Sequence, residues 1–252
     1  MDSIHQNFIY LDYNSTTPID ERVLNEMLPY FSANYANPSG SHLFSLTVQD
    51  AVEQASEGIA IGMGTQSNNI IYTSGATEAI NLVLKGLQFS NKKHIISIST
   101  EHKAVLETCA FMEQWGFEIS YLKVDHQGMV NLESLVETIR EDTALVCAML
   151  ANNETGVILP IRQITEIVHQ HHALVLCDAT QALGKIDINL RDLAVDFMVF
   201  SAHKFYGPKG VGGLYMADGA KKFLTPLIHG GGQQQGWRSG TVNTTGIIGM
   251  AT

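Results

Sequence analysis

Residues 195–210 read VDFMVFSAHKFYGPKG, and this stretch decides the fold. A mostly apolar run of strand length delivers His203 and Lys204 side by side, then breaks into a Gly-Pro loop. A lysine at the mouth of a buried strand either reaches water or does chemistry. Working outward, other runs of strand length alternate with segments of helical period. Strands are expected over 70–73, 94–99, 119–124, 144–150, 173–177, 195–200 and 212–216, and helices over 77–87, 103–115, 132–139 and 161–171. Two further helices are expected near 21–31 and 46–61, ahead of the alternating part. Strands that are apolar throughout and separated by helices make this an α/β chain. The implied architecture is a mainly parallel seven-stranded sheet with helices on both faces.

At 252 residues and 45% hydrophobic, the chain can bury a sizeable core as one large domain or two small ones. Its longest wholly apolar stretch, 144–151, falls short of the roughly 18 residues that span a bilayer, so no membrane association is expected. The opening MDSIHQNF has no basic segment followed by an apolar run, which argues against a secretory leader. The net charge is −10 with scattered lysines and arginines, which disfavours a nucleic-acid surface. Cys109, Cys147 and Cys177 show no CxxC spacing and suit a reducing, cytoplasmic setting, where they read as buried small hydrophobes. His169, His171 and His172 sit together, but neighbours on a helix end face different ways, so no metal site is read there.

In parallel sheets, functional residues gather past the carboxyl ends of the strands. Past five of the expected strands come SGATEA, TEHK, ANNETG, DATQ and SAHK, all compact and polar. Ser74-Gly75-Ala76-Thr77 lies between a strand and a helix: Ser74 is expected to cap the helix, Gly75 to permit close backbone approach and Thr77 to add a hydroxyl. That segment either seats a single phosphate or is an ordinary capped helix. Asp178 ends a buried strand and needs a partner: a protonated pyridine nitrogen, Lys185 or a backbone cap. Lys204 occupies the equivalent place one strand later, with Lys209 as the competing lysine. His102 stands past another strand end, positioned to stack on a ring or move protons. Phosphate seat, buried carboxylate and strand-end amine together describe a pyridoxal phosphate site.

The motifs YLDYNSTTP, NPSGSH, TSGATEA, TEHKAVL, NNETG, DATQALGK, SAHKFYGPKG and HGGGQQQGWRSGT together resemble the class V, fold-type I pyridoxal phosphate enzymes. Within that class they are most similar to cysteine desulfurases of the iron–sulfur-cluster assembly type. The resemblance implies an N-terminal arm over 1–20 and a fold-type I large domain over 21–252. It implies that Lys204 binds the cofactor aldehyde and then moves the substrate Cα proton. Asp178 would pair with the pyridine nitrogen, Gln181 with the phenolic oxygen, and His102 would lie over the ring. Ala76, Thr77, Ser201 and His203 would hold the phosphate, and Asn153 would contact substrate or the cofactor edge. Thr241 would reach the phosphate of a neighbouring subunit, which implies a homodimer. The reaction so implied takes sulfur from L-cysteine, leaving alanine and an enzyme-bound persulfide for a sulfur-acceptor or scaffold protein.

One departure stands out. The family continues into a small C-terminal domain, whereas here the sequence stops at GIIGMAT, where the connecting helix is expected to begin. None of the three cysteines matches the family's sulfur-accepting nucleophile. The expectation is therefore a partial enzyme that does not turn over alone. The alternatives are another class V enzyme, such as a selenocysteine lyase or a small-molecule aminotransferase, or a non-catalytic subunit of the same fold.

Overall fold

The structure, a computed structural model, describes residues 9–87 and 90–252. The expected arm over 1–20 and the reading of no secretory leader rest partly on residues 1–8, which lie outside the described residues. Seven strands form one sheet: β1 (Ile70–Thr73), β2 (His94–Ile98), β3 (Glu118–Leu122), β4 (Thr143–Met149), β5 (Leu174–Asp178), β6 (Phe197–Ser201) and β7 (Gly212–Met216). Their spatial order is β1-β7-β6-β5-β4-β2-β3. The five strands from β6 to β3 run parallel, and β7 pairs antiparallel with both β6 and β1.

Every residue of β4 is buried, because helices cover both sheet faces. Its side chains alternate: Val146 and Ala148 enter one core, Leu145 and Cys147 the other. The first core lies under α3 (Leu43–Met63), α6 (Leu132–Thr138), α7 (Ile161–Gln170) and α9 (Thr244–Ala251), and the second under α4 (Ala76–Gly86) and α5 (Lys103–Glu113). Among the described residues, no helix is long and apolar enough to cross a membrane.

The expected helix over 21–31 divides into α1 (Glu21–Met27) and α2 (Pro29–Ser32), because Pro29 has no N–H to continue the ladder. The expected helix over 46–61 is longer at both ends as α3. The His42 ring accepts from Ser45 N at its start, and Gly64, at φ 72°, closes it in the left-handed region. A short helix, α8 (Leu190–Leu193), precedes β6.

One close approach holds the functional rim together. In register, Gly212 pairs with Thr73 of β1 on one side and Ser201 of β6 on the other. A Cβ at Gly212 would come 2.5 Å from the Phe200 carbonyl oxygen and 2.6 Å from Gly75 Cα. Both contacts are backbone and cannot swing away. Gly212→Ala is therefore expected to cost about 3 kcal/mol, read as a lower urea midpoint. An unchanged midpoint would mean that the Gly75 turn does not rest on β7.

Candidate functional site

The carboxyl ends of the parallel strands open into a cavity of about 810 Å³. Of the ten residues read from the sequence as site residues, nine line it: Ala76, Thr77, His102, Asn153, Asp178, Gln181, Ser201, His203 and Lys204. Thr241 does not; it is exposed on the loop before α9. Lys209 also lines the cavity, on an exposed turn.

Lys204 ends a 3₁₀ turn, Ala202–Lys204, that begins directly at the end of β6. Its ammonium donates to the carbonyls of Asn14 and Ser15, each at 2.7 Å. Burial first, and then the nearby Lys185 ammonium, lowers its pKa from the ordinary lysine value. Depression of this kind suits an amine that must give up a proton and act as nucleophile.

The N-terminal segment that supplies those carbonyls is stapled down. Thr17 donates its N–H and its hydroxyl to the His203 carbonyl at 2.9 and 3.0 Å, and accepts from Tyr206 N at 2.8 Å. Thr16 Oγ1 meets His203 Nδ1 at 3.1 Å. Burial, followed by the Lys204 and Lys209 charges, lowers the His203 pKa, favouring a neutral ring. Asp12, Asn14, Ser15 and Thr16 are thus cavity residues to which the sequence reading gave no individual role.

Asp178 is 6% exposed at the end of β5. Of the partners expected within the chain, the backbone cap holds it and Lys185 does not. Its Oδ1 accepts from Thr180 N at 2.8 Å, the backbone cap, while Lys185 donates to Gln181 Oε1 at 2.6 Å instead. Burial pushes the Asp178 carboxyl up, and Thr180, His102 and Lys204 oppose that push. The carboxylate therefore lacks a full counter-charge of its own, although Lys204 and His102 are near enough to act on it. Gln181 is fixed by donating to the Asn14 carbonyl at 2.8 Å. Thr180 Oγ1 is buried with no hydrogen-bond partner.

Ser74 does not cap α4. The cap position is Gly75, at φ 154° and ψ 178°, a conformation that L side chains rarely adopt, and no side chain caps the helix. Ser74 N instead donates to Glu78 Oε2 at 2.8 Å. The terminus of this eleven-residue helix thus opens onto the cavity with its first N–H groups uncapped by any side chain. His102 caps α5, its Nδ1 accepting from Ala104 N at 3.1 Å, and Asn153 bonds Glu154 Oε1 at 2.7 Å.

Glu101, next in sequence to the cavity-lining His102, is a buried acid that the sequence reading passed over, although it stands inside the TEHK motif. It is 5% exposed; its Oε1 accepts from Met149 N at 2.6 Å, and its Oε2 has no partner. Burial, and next the charge of Asp178, pushes its carboxyl well above the usual range. Elsewhere His169 Nε2 bonds Asp196 Oδ2 at 2.9 Å, so this member of the histidine cluster serves a structural ion pair.

Comparison with known proteins identifies the family. The model of the "Aminotransferase class-V" family matches residues 9–252. The chain belongs to the class-V aminotransferase family. It is 44% identical over 245 residues to the cysteine desulfurase IscS of Clostridium botulinum, covering 96% of this chain and 61% of that protein. It is 46% identical over 246 residues to the cysteine desulfurase IscS of Rickettsia prowazekii, covering 96% of this chain and 60% of that one. The class-V fold is equally plain among solved structures. "SspA in complex with cysteine" superposes with a TM-score of 0.93 at 40% identity, covering 97% of this chain and 71% of that one. A NifS-like protein superposes at 0.93 with 45% identity, covering 96% and 67%. The chain thus spans about three fifths of the length of its curated class-V relatives.

Glu101 supplies a test of the rim electrostatics. An acid whose folded pKa is raised loses stability as pH rises above its unfolded value, because the unfolded chain ionises first. Glu101→Gln removes that loss. The variant is expected to match the wild type below about pH 4 and to gain in urea midpoint as pH rises to 8. A constant difference at every pH would show that Glu101 ionises as freely as an exposed acid.

Proposed function

We propose that this chain carries the pyridoxal phosphate site of a cysteine desulfurase. The observation that carries the reading is the meeting, at one rim, of a pKa-lowered amine, a buried carboxylate without its own cation and an uncapped helix terminus. These are unfinished groups, and pyridoxal phosphate complements each: an aldehyde for the amine, a ring nitrogen for the carboxylate and a phosphate for the helix.

When bound, pyridoxal phosphate supplies an electrophilic carbon for the substrate amine and a ring that accepts electron density from the substrate Cα. The protein supplies the remainder. Lys204 Nζ would be the amine that holds the cofactor and the base that moves the substrate Cα proton. Asp178, a buried carboxylate at the end of β5, would keep a proton on the ring nitrogen. Gln181, oriented by Asn14, would donate to the phenolic oxygen. His102 would lie over the ring, and Asn153 would contact substrate or the cofactor edge. Ala76, Thr77, Ser201 and His203 would hold the phosphate, with Thr241 completing the seat of a neighbouring subunit in a homodimer.

L-cysteine as substrate is supported by the two desulfurase relatives and by the similar structure described in complex with cysteine. The persulfide sulfur would then pass to an acceptor or scaffold protein. Cys109, Cys147 and Cys177 are all buried and unpaired, which suits the proposed cytoplasmic setting. Burial also removes them as sulfur acceptors, since an attacking thiol must be reachable and ionised. Neighbouring Cys109, burial and Glu101 hold the Cys147 thiol well above its ordinary pKa. A cysteine other than these three has to receive the sulfur.

Purified protein mixed with pyridoxal phosphate is expected to turn yellow and to become resistant to dialysis after borohydride reduction. Lys204→Ala should lose covalent attachment entirely, and Asp178→Ala should weaken cofactor binding by about tenfold. With L-cysteine, the cofactor band should shift without catalytic release of alanine by this chain alone. No visible band and no reducible attachment in the wild type would refute the reading.

A further inference from the structure

The loop over 229–241 is docked rather than flexible. The Gln234 side-chain amide closes on the edge strand β1: Oε1 accepts from Tyr72 N at 2.6 Å, and Nε2 donates to Tyr72 O at 3.0 Å. The same Nε2 reaches the Arg238 carbonyl at 3.3 Å, and Gln233 Oε1 accepts from Gly240 N at 2.8 Å. Gln234 and Gln235 take left-handed φ values of 51° and 58° to make this clamp. The clamp aims Arg238 at the first turn of α4. Its Nε donates to Glu78 Oε1 at 2.9 Å, with side chains only 24% and 19% exposed.

Glu78 poses an electrostatic problem. Its carboxylate lines the cavity and holds Ser74 N at 2.8 Å, fixing the approach to the Gly75 turn. A carboxylate in a first helical turn satisfies the helix dipole, but it also repels any second anion at that terminus. We propose that Arg238 is a positioning residue for the anion seat, cancelling the Glu78 charge while keeping its hydrogen bond to Ser74, so that a phosphate can occupy the terminus of α4. Burial alone would push the Glu78 carboxyl up, but the Arg238 and Ser74 hydrogen bonds outweigh it and keep it ionised. The guanidinium fork suits this geometry, its second nitrogen standing 3.5 Å from Glu78 Oε2.

The inference rests on the pyridoxal phosphate reading, and the test separates the two. Binding of pyridoxal phosphate and of pyridoxal, which has the ring and aldehyde but no phosphate, is followed by absorbance in the wild type, R238Q, E78Q and the double variant. R238Q is expected to weaken pyridoxal phosphate by about tenfold while leaving pyridoxal within about twofold. The double variant should recover most of that loss, because the uncompensated carboxylate is gone. E78Q alone should raise the preference for pyridoxal phosphate over pyridoxal, and it carries the test if R238Q does not fold. Equal weakening of both ligands, or no rescue in the double variant, overturns the assignment while leaving the cofactor reading intact. A wild type that binds neither ligand overturns both.

Discussion

Parallel pairing of β4, β5 and β6 is the constraint from which the site follows. Register sets Met149 beside Asp178 and Asp178 beside Val199, so β4 and β5 finish at one level while β6 runs two residues further, to Ser201. Whatever the chain places next projects into the same space. Asp178 belongs to the strand itself, and Lys204 arrives five residues past Val199 on a tight 3₁₀ turn. The antiparallel β7 completes the rim differently. By bringing Gly212 against the Gly75 turn, it sets the start of α4 within the same cavity as Ser201 and Lys204. A parallel strand in that place would run its amide ladder the other way and present a different residue to Gly75.

The rim is also where the protein leaves its polar groups unfinished. Elsewhere buried polar atoms are matched: His94 bonds Thr143 and Ser120, each at 2.8 Å. Among the described residues the two buried side-chain atoms without partners are Glu101 Oε2 and Thr180 Oγ1, both of the strand-end motifs. Each such group costs on the order of 1–3 kcal/mol. Both stand close to Asp178, and a cost concentrated there is the mark of a region shaped for something other than its own stability.

Much of this was legible in the sequence because the relevant signals are local. An all-apolar run such as 144–150 announces a doubly covered strand, and the polar motif after it inherits a known location. What was not legible depends on contacts far apart in the chain. Glu101 was hidden because nothing in TEHK says that its carboxylate turns inward to Met149, 48 positions away. The carbonyls of Asn14 and Ser15 carry no side-chain signature at all, yet they hold the Lys204 amine. Ser74 looked like a helix cap by residue type; the cap position is Gly75, and Ser74 N donates to the Glu78 carboxylate from outside the helix. The division of the helix over 21–31 was readable from Pro29, a signal weaker than the apolar period around it.

The three thiols show how burial assigns chemistry as firmly as proximity does. Cys177 adjoins Asp178 in sequence, yet strand alternation turns it into the core while Asp178 lines the cavity. Burial and the Asp178 charge raise its pKa, which removes the thiolate that a sulfur-accepting cysteine must present. Cys109 and Cys147 share the opposite core, away from solvent. A rigid rim suits the steps that require fixed geometry, namely holding a ring, a proton and an anion. Sulfur transfer requires the opposite, a thiol that can approach the substrate and then leave with its cargo. Placing that thiol on the sheet would have frozen the one group whose motion the proposed reaction requires.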